Sequence, residues 1–177
     1  YHWRLGCVQP GFKSSQPHNI KMIDIVLPNN NENELIHMAE KLGYDSLIFL
    51  YDETSYKKKK EYKSKSISTH AGILIEDRAK KSDKTKPKFM RLMKTPVDFR
   101  VAVEKGLADV FSGAELARQP DFIHQRNSGM NHIICKKMAE KNKRYAFFFS
   151  DLLRNESQRQ AQILGRIRQN IRLCKKY

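Results

Sequence analysis

Residues 22–51 read MIDIVLPNNNENELIHMAEKLGYDSLIFLY, and this stretch decides the fold. Residues 22–27 form a short apolar run broken by one carboxylate, Asp24, and ended by Pro28 and three asparagines. That is the pattern of a buried strand running into a loop. Asn31 stands where a helix cap is needed, with Glu34 three residues on in the capping-box position. Leu35, Met38, Ala39 and Leu42 give the helix one apolar face, and Gly43 stops it. Residues 44–51 (YDSLIFLY) read as a second buried strand. Strand, helix and strand in this order and at this spacing form a βαβ unit, which implies a parallel sheet.

The rhythm recurs toward the C-terminus. The pattern predicts a third strand at 71–76, a helix at 96–105 stopped by Gly106, and a fourth strand at 108–111. A helix at 128–142, a fifth strand at 145–150 and a last helix at 154–176 follow. Along the last helix Leu164, Ile167, Ile171 and Cys174 predict one core-facing stripe, and Arg168, Arg172 and Lys176 a basic stripe on another face. Strands separated by helices make an α/β fold with helices covering the sheet. A closed eight-stranded barrel takes roughly 200 residues or more, and this chain has 177 and ends on a helix. Two architectures fit: an open doubly wound sheet, or a barrel whose last strands lie outside the chain. Residues 1–20, rich in Pro, Gly, Ser and Gln, read as a flexible arm ahead of a single domain over 21–177.

Charge supplies the first functional clue. Lys and Arg number 34 against 19 Asp and Glu, a net +15, with 40% hydrophobic residues and a mean hydropathy of −0.68. The segments 53–66, 78–94 and 154–177 carry +4, +7 and +6, which leaves −2 for the rest of the chain. Such segregation points to a polyanionic partner, with nucleic acid first, because each neutralised phosphate releases counterions. Plain solvated lysine loops are the competing reading. A membrane surface fits poorly, since the basic segments lack an opposing Trp/Phe-rich face. No apolar run approaches the roughly 18 residues of a membrane span, and the first residues lack a signal-peptide core, so the expected address is cytosolic. Cys7, Cys135 and Cys174 fit neither a disulfide framework nor a zinc knuckle and read as reduced thiols, two of them packed on helices.

The stretch Arg126-Asn127-Ser128-Gly129-Met130-Asn131-His132 opens a predicted helix. A helix start offers unpaired N–H groups and the positive end of the dipole, Gly129 permits close approach, and Arg126 and His132 add donors: a usable phosphate site. The alternative is plain capping by Asn127 or Ser128. Asp24, at the end of the first strand, suits either a catalytic or ligand role or a loop contact, and with Asp52, Glu76, Asp77 and Asp151 it makes a carboxylate ring for a divalent cation conceivable. The six histidines form no H-x-H or H-E-x-x-H pattern, which disfavours a self-sufficient metallohydrolase. His37 reads as a surface residue. Nucleotide hydrolysis, dinucleotide binding and serine hydrolysis lack their glycine-rich motifs. Residues 145–149 (YAFFF) read as core rather than as a platform for stacked bases.

Phe111-Ser112, then Arg126-Asn127-Ser128-Gly129-Met130-Asn131-His132-Ile133-Ile134-Cys135-Lys136, then Phe149-Ser150-Asp151-Leu152-Leu153, then Gly165-Arg166 with residues 169–177 (QNIRLCKKY) stand in the order found in one family. Over residues 21–177 the chain resembles the p30 family, whose archaeal members are called ribonuclease P protein component 3. The resemblance implies a TIM-barrel-like (β/α) fold, incomplete at the C-terminus here because the family barrel continues past Tyr177. It implies a place in the ribonucleoprotein that removes the 5′ leader from precursor tRNA. Members of the family do not cut; the RNA holds the Mg²⁺-dependent active site, so the protein itself needs no cofactor. The implied partners are ribonuclease P RNA and ribonuclease P protein component 2, with precursor tRNA met indirectly. The implied address is the cytoplasm of an archaeon or the nucleus and nucleolus of a eukaryote. The chain departs from the family at Asn131, where Asp is common, and at Asp151, where Arg is common. Segments 53–66, 78–94 and 114–125 read as insertions.

The expected function is therefore a non-catalytic subunit of an endoribonuclease. Its phosphate contacts are expected at Arg126, Ser128, Gly129 and His132, and at Arg166, Arg168, Arg172, Lys175 and Lys176 on the last helix. Such contacts position the RNA without reading its sequence. A metal-dependent phosphoesterase on a related barrel and a generic basic RNA-binding protein are the alternatives.

Overall fold

The computed structural model of the chain describes residues 22–58, 62–64, 66–76, 90–94 and 98–177. The expected N-terminal arm lies outside these residues, as do Cys7, Asp77 and the start of the helix expected at 96. Six strands form one sheet, β1 (Ile23–Val26), β2 (Ser46–Tyr51), β3 (Ser68–Glu76), β4 (Met90–Lys94), β5 (Val110–Ser112) and β6 (Arg144–Ala146). They lie side by side in sequence order and every pair is parallel. The sheet is curled like half a barrel, with helices between the strands. These helices are α1 (Glu32–Lys41), α2 (Glu53–Lys58), α3 (Phe99–Glu104), α4 (His132–Glu140), α5 (Phe149–Leu153) and α6 (Ser157–Lys176).

The alternation of side chains along β4–β6 divides the core. Met93, Phe111 and Tyr145 sit in register across three strands and pack against Phe99, Ala102 and Val103 of α3 and Ile134, Cys135 and Met138 of α4. Leu92, Val110 and Ala146 face the other way and join Phe148 and the apolar residues of β1 and β2. A parallel sheet covered by helices buries both faces, which is why these strands are apolar along most of their length. By the same alternation Lys94 and Ser112 fall on the face of Leu92, at the carboxyl ends of their strands.

Several expectations are corrected. Six strands replace five, because β4 lies inside the lysine-rich segment 78–94; its Met90, Leu92 and Met93 are buried, while residues 78–89 fall outside the described residues. The segment 53–66 is no free loop either: α2 begins it, and Tyr62 packs on the core under Phe49, ring centroids 5.9 Å apart. The strand expected at 145–150 stops at Ala146, where β5 offers no further partner after Ser112, and the chain turns into α5.

On α1 the buried apolar residues are Leu35, Ile36 and Ala39, whereas Met38 and Leu42 stand 45% and 50% exposed. Asn31 does not cap it; its Oδ1 accepts instead from the Asn29 N–H at 2.9 Å. Gly43, with φ of 74°, ends the helix as expected. Helix α6 is turned relative to the expected stripe: Ile163, Arg166, Ile167 and Asn170 are buried and Leu164 is 51% exposed. Cys135 on α4 and Cys174 on α6 are free thiols in one apolar cluster, hydrogen-bonded to each other. The hydrogen bond with Cys174, and burial after it, push the Cys135 thiol well up, while the same bond holds that of Cys174 down.

Candidate nucleic-acid interface

Helix α6 lies against α4 and α5 and grips the segment between β5 and α4. Its central residue is Arg166, which is fully buried. The guanidinium donates through Nε to Asp121 Oδ1 at 2.8 Å, through Nη1 to the carbonyls of Glu115 and Ala117, and through Nη2 to the Gln119 carbonyl at 2.6 Å. Nη2 also lies 2.8 Å from Asp121 Oδ1, so every nitrogen of the fork has an acceptor. A planar five-donor fork is what collecting several carbonyls of one loop requires. The loop 114–125, expected to be an insertion, is thus fastened to the body of the fold.

The stretch 126–132 is built for the same fastening. Ser128 is 1% exposed; its hydroxyl accepts from Gln169 Nε2 at 2.9 Å and its carbonyl from Asn170 Nδ2 at 3.1 Å. Gly129 has φ of 72°, and a Cβ there would lie 2.5 Å from the Ala114 carbonyl oxygen, so the close packing of this turn on Ala114 requires a glycine. Arg126 is half exposed, 3.5 Å from Asp121, with its guanidinium lying over Gly165. The cap of α4 is Asn131, whose Oδ1 accepts from the Ile134 N–H at 2.9 Å; neither Asn127 nor Ser128 caps it. The helix start that was expected to hold phosphate is therefore closed by its own side chain. Of the expected contacts in this stretch, Ser128 is withdrawn from solvent by burial, as is Arg166 on α6, while Gly129 stays exposed. Arg126 and His132 remain at the surface.

The remaining basic residues of α6 behave differently. Arg168, Arg172, Lys175 and Lys176 all reach solvent, none of them buried. Spacings of four, three and one place them on one side of the helix. None of them joins an ion pair among the described residues. At the end of the helix the Tyr177 ring lies under Lys136 Nζ at 5.5 Å and Lys176 Nζ at 5.2 Å, with the His132 ring 6.1 Å away. The first turns of α4 and the last turn of α6 thus meet in one basic corner. A row of cations with no ion-pair partner among the described residues, on one exposed helix face, can follow a phosphate backbone.

Of the carboxylates expected to form a cation ring, Asp24, Asp52 and Asp151 are occupied locally. Asp24 is 1% exposed and accepts from the Ile25 N–H, Asp52 accepts from Ser55 N–H and Thr54 at the start of α2, and Asp151 is paired with Lys94. Among the described residues no group of three His, Cys, Asp or Glu is placed to hold a metal ion. Among the same residues no helix is long and apolar enough to cross a membrane. Of residues 145–149, Tyr145, Ala146 and Phe148 are buried as expected, whereas Phe149, in the first turn of α5, is 42% exposed and lies outside the core. The sequence reading missed Arg118, Arg154 and Arg159, which gather with Asp151 at the carboxyl end of the sheet; no motif marks them, since they come from three separate places in the chain.

No known protein family, curated protein or solved structure matches the chain.

Proposed function

We propose that the chain is a non-catalytic protein subunit of ribonuclease P, built on a TIM-barrel-like (β/α) scaffold and seated on the catalytic RNA. The observation that carries this is the solvent-facing row of Arg168, Arg172, Lys175 and Lys176, continued by Lys136 and His132 at the basic corner. The parallel β/α sheet, in the order that the p30 resemblance implies, supports it. Such a row lowers the repulsion between phosphates of a folded RNA and gains affinity by releasing counterions. It recognises backbone shape and leaves base identity unread. The chemistry of cleavage, with its Mg²⁺, belongs to the RNA, and ribonuclease P protein component 2 is the protein partner.

The test is cleavage of a precursor tRNA by the cognate RNA at low Mg²⁺, with component 2 always present and the chain added or withheld. Stimulation is expected, and it should fall when Arg168 and Arg172 become alanine while the variant melts like the parent. No stimulation from a folded chain would remove this reading.

A further inference from the structure

The segment between β5 and α4 is clamped at its base and bare at its tip. Asp121 is bound by Arg166 and by the Asn127 N–H at 2.9 Å, Asn127 Nδ2 donates to Gln119 Oε1 at 3.1 Å, and Gln169 Nε2 donates to the Arg126 carbonyl at 2.9 Å. Between these feet the chain turns back on itself, the Phe122 N–H donating to the Gln125 carbonyl at 2.9 Å. Phe122 and Ile123 on that turn stand 69% and 95% exposed, the two most exposed large apolar side chains among the described residues. Apolar side chains scattered singly are ordinary on a surface. Two neighbours at the tip of a fastened turn are a different case, because presenting them to a partner costs little further ordering.

The surroundings of the tip select the partner. Within residues 117–127 the single carboxylate is Asp121, which is 19% exposed and paired with both Arg166 and Arg126. Arg118, His124 and Arg126 reach solvent. The Arg126 guanidinium fills the space that a Cβ at Gly165 would take. Gly165, Gln169, Arg172 and Lys176 recur at spacings of four, three and four, so they form one stripe along α6. From the foot of the tip this stripe runs about 16 Å along the helix. It ends at the corner where the Tyr177 ring lies under Lys136 and Lys176. Cations along a track with an aromatic ring at each end suit single-stranded RNA, the cations meeting phosphates and the rings meeting bases.

We propose that Phe122 and Ile123 seat an unpaired base of a single-stranded RNA segment, whose neighbouring phosphates follow Arg126, Arg172 and Lys176. The proposal rests on the reading of the chain as an RNA-binding subunit. The base is held by its face, so the seat accepts any of the four bases. A base inside a helix keeps its face against its stacked neighbours. The tip therefore separates unpaired from paired RNA, which a row of cations alone does not do.

The whole chain is titrated with a labelled single-stranded RNA dodecamer and with the blunt duplex of the same sequence, and binding is followed by fluorescence anisotropy. Phe122→Leu keeps the apolar bulk and removes the ring; it is expected to weaken single-strand binding about tenfold and duplex binding by no more than about twofold. Phe122→Trp should retain the parent affinity, and both variants should melt like the parent because the side chain is exposed. The Phe122→Leu variant should keep the parent's salt slope, whereas Arg172→Ala should flatten it by about 1. Equal loss on the two RNAs, or loss on neither, would overturn the seat. So would loss of binding to component 2 with RNA affinity intact, which would assign the tip to the protein partner. A ring-dependent preference for the single strand in a chain that fails to stimulate ribonuclease P would sink the subunit reading and leave the seat standing.

Discussion

Arg166 and Arg168 are two residues apart on one helix, and they do opposite things. The first is fully buried with its fork closed on Asp121 and three carbonyls, and the second is exposed. Removing a buried cation orphans its acceptors and its carboxylate, so Arg166→Ala is expected to cost about 3 kcal/mol in chemical denaturation, whereas Arg168→Ala stays within about 0.5 kcal/mol. Glu115 makes a second prediction at this scale. Burial raises its pKa above the ordinary 4.5, against the hydrogen bond from the Tyr145 hydroxyl. The folded state therefore holds the proton more tightly than the unfolded one. Its contribution to stability is present below the ordinary carboxylate range and is lost as pH rises through the folded-state value. Glu115→Gln should shrink the fall in melting temperature between pH 5 and pH 8; an unchanged fall would show that Glu115 is ionised in the fold. Nothing in the local sequence separates these buried groups from surface ones. Arginine and serine take their roles here from partners that lie about forty to fifty residues away.

At the scale of elements, periodicity was legible and orientation was not. Helix α1 and strand β2 stand where the apolar pattern predicts, but the buried side of α1 includes Ile36 rather than Met38, and α6 buries Ile163 rather than Leu164. Around a helix one residue is about 100°, so a stripe read one position off points at a different neighbour. In α6 the buried Arg166 is what sets the rotation, because its loop acceptors lie on one side only. Strand β4 was hidden for a different reason: Arg91 and Lys94 alternate with its apolar residues amid lysines, yet each finds an acid, Asp109 and Asp151. The caps separate cleanly. Asn131 and Asp98 bond to the third N–H beyond them, and Asn31 makes no such bond. Asn131→Ala should cost about 1 kcal/mol in urea unfolding and Asn31→Ala less than half of that; equal costs would contradict the capping geometry.

Across the whole molecule the charge is the governing quantity. With a net +15 the chain repels itself and attracts polyanions, and the basic row on α6 concentrates part of that field on one face. Affinity for structured RNA should fall steeply with salt. Replacing Arg168, Arg172, Lys175 and Lys176 by alanine should flatten the log–log slope by about 1 for every phosphate that is no longer neutralised, uniformly across RNA sequences. A slope that does not change would place the RNA on another face. Composition, charge segregation and the βαβ rhythm of residues 22–51 determined the parallel α/β class and pointed to a polyanionic partner, because hydrophobic period and net charge are sums over local residues. Only the tertiary structure decided that Ser128, Gly129 and Arg166 hold a loop while Arg168, Arg172, Lys175 and Lys176 face solvent. It alone brought Arg118, Arg154 and Arg159 around one cavity. Burial and ion pairing are relations between distant segments, and they exist only once α6 lies against the loop that precedes α4.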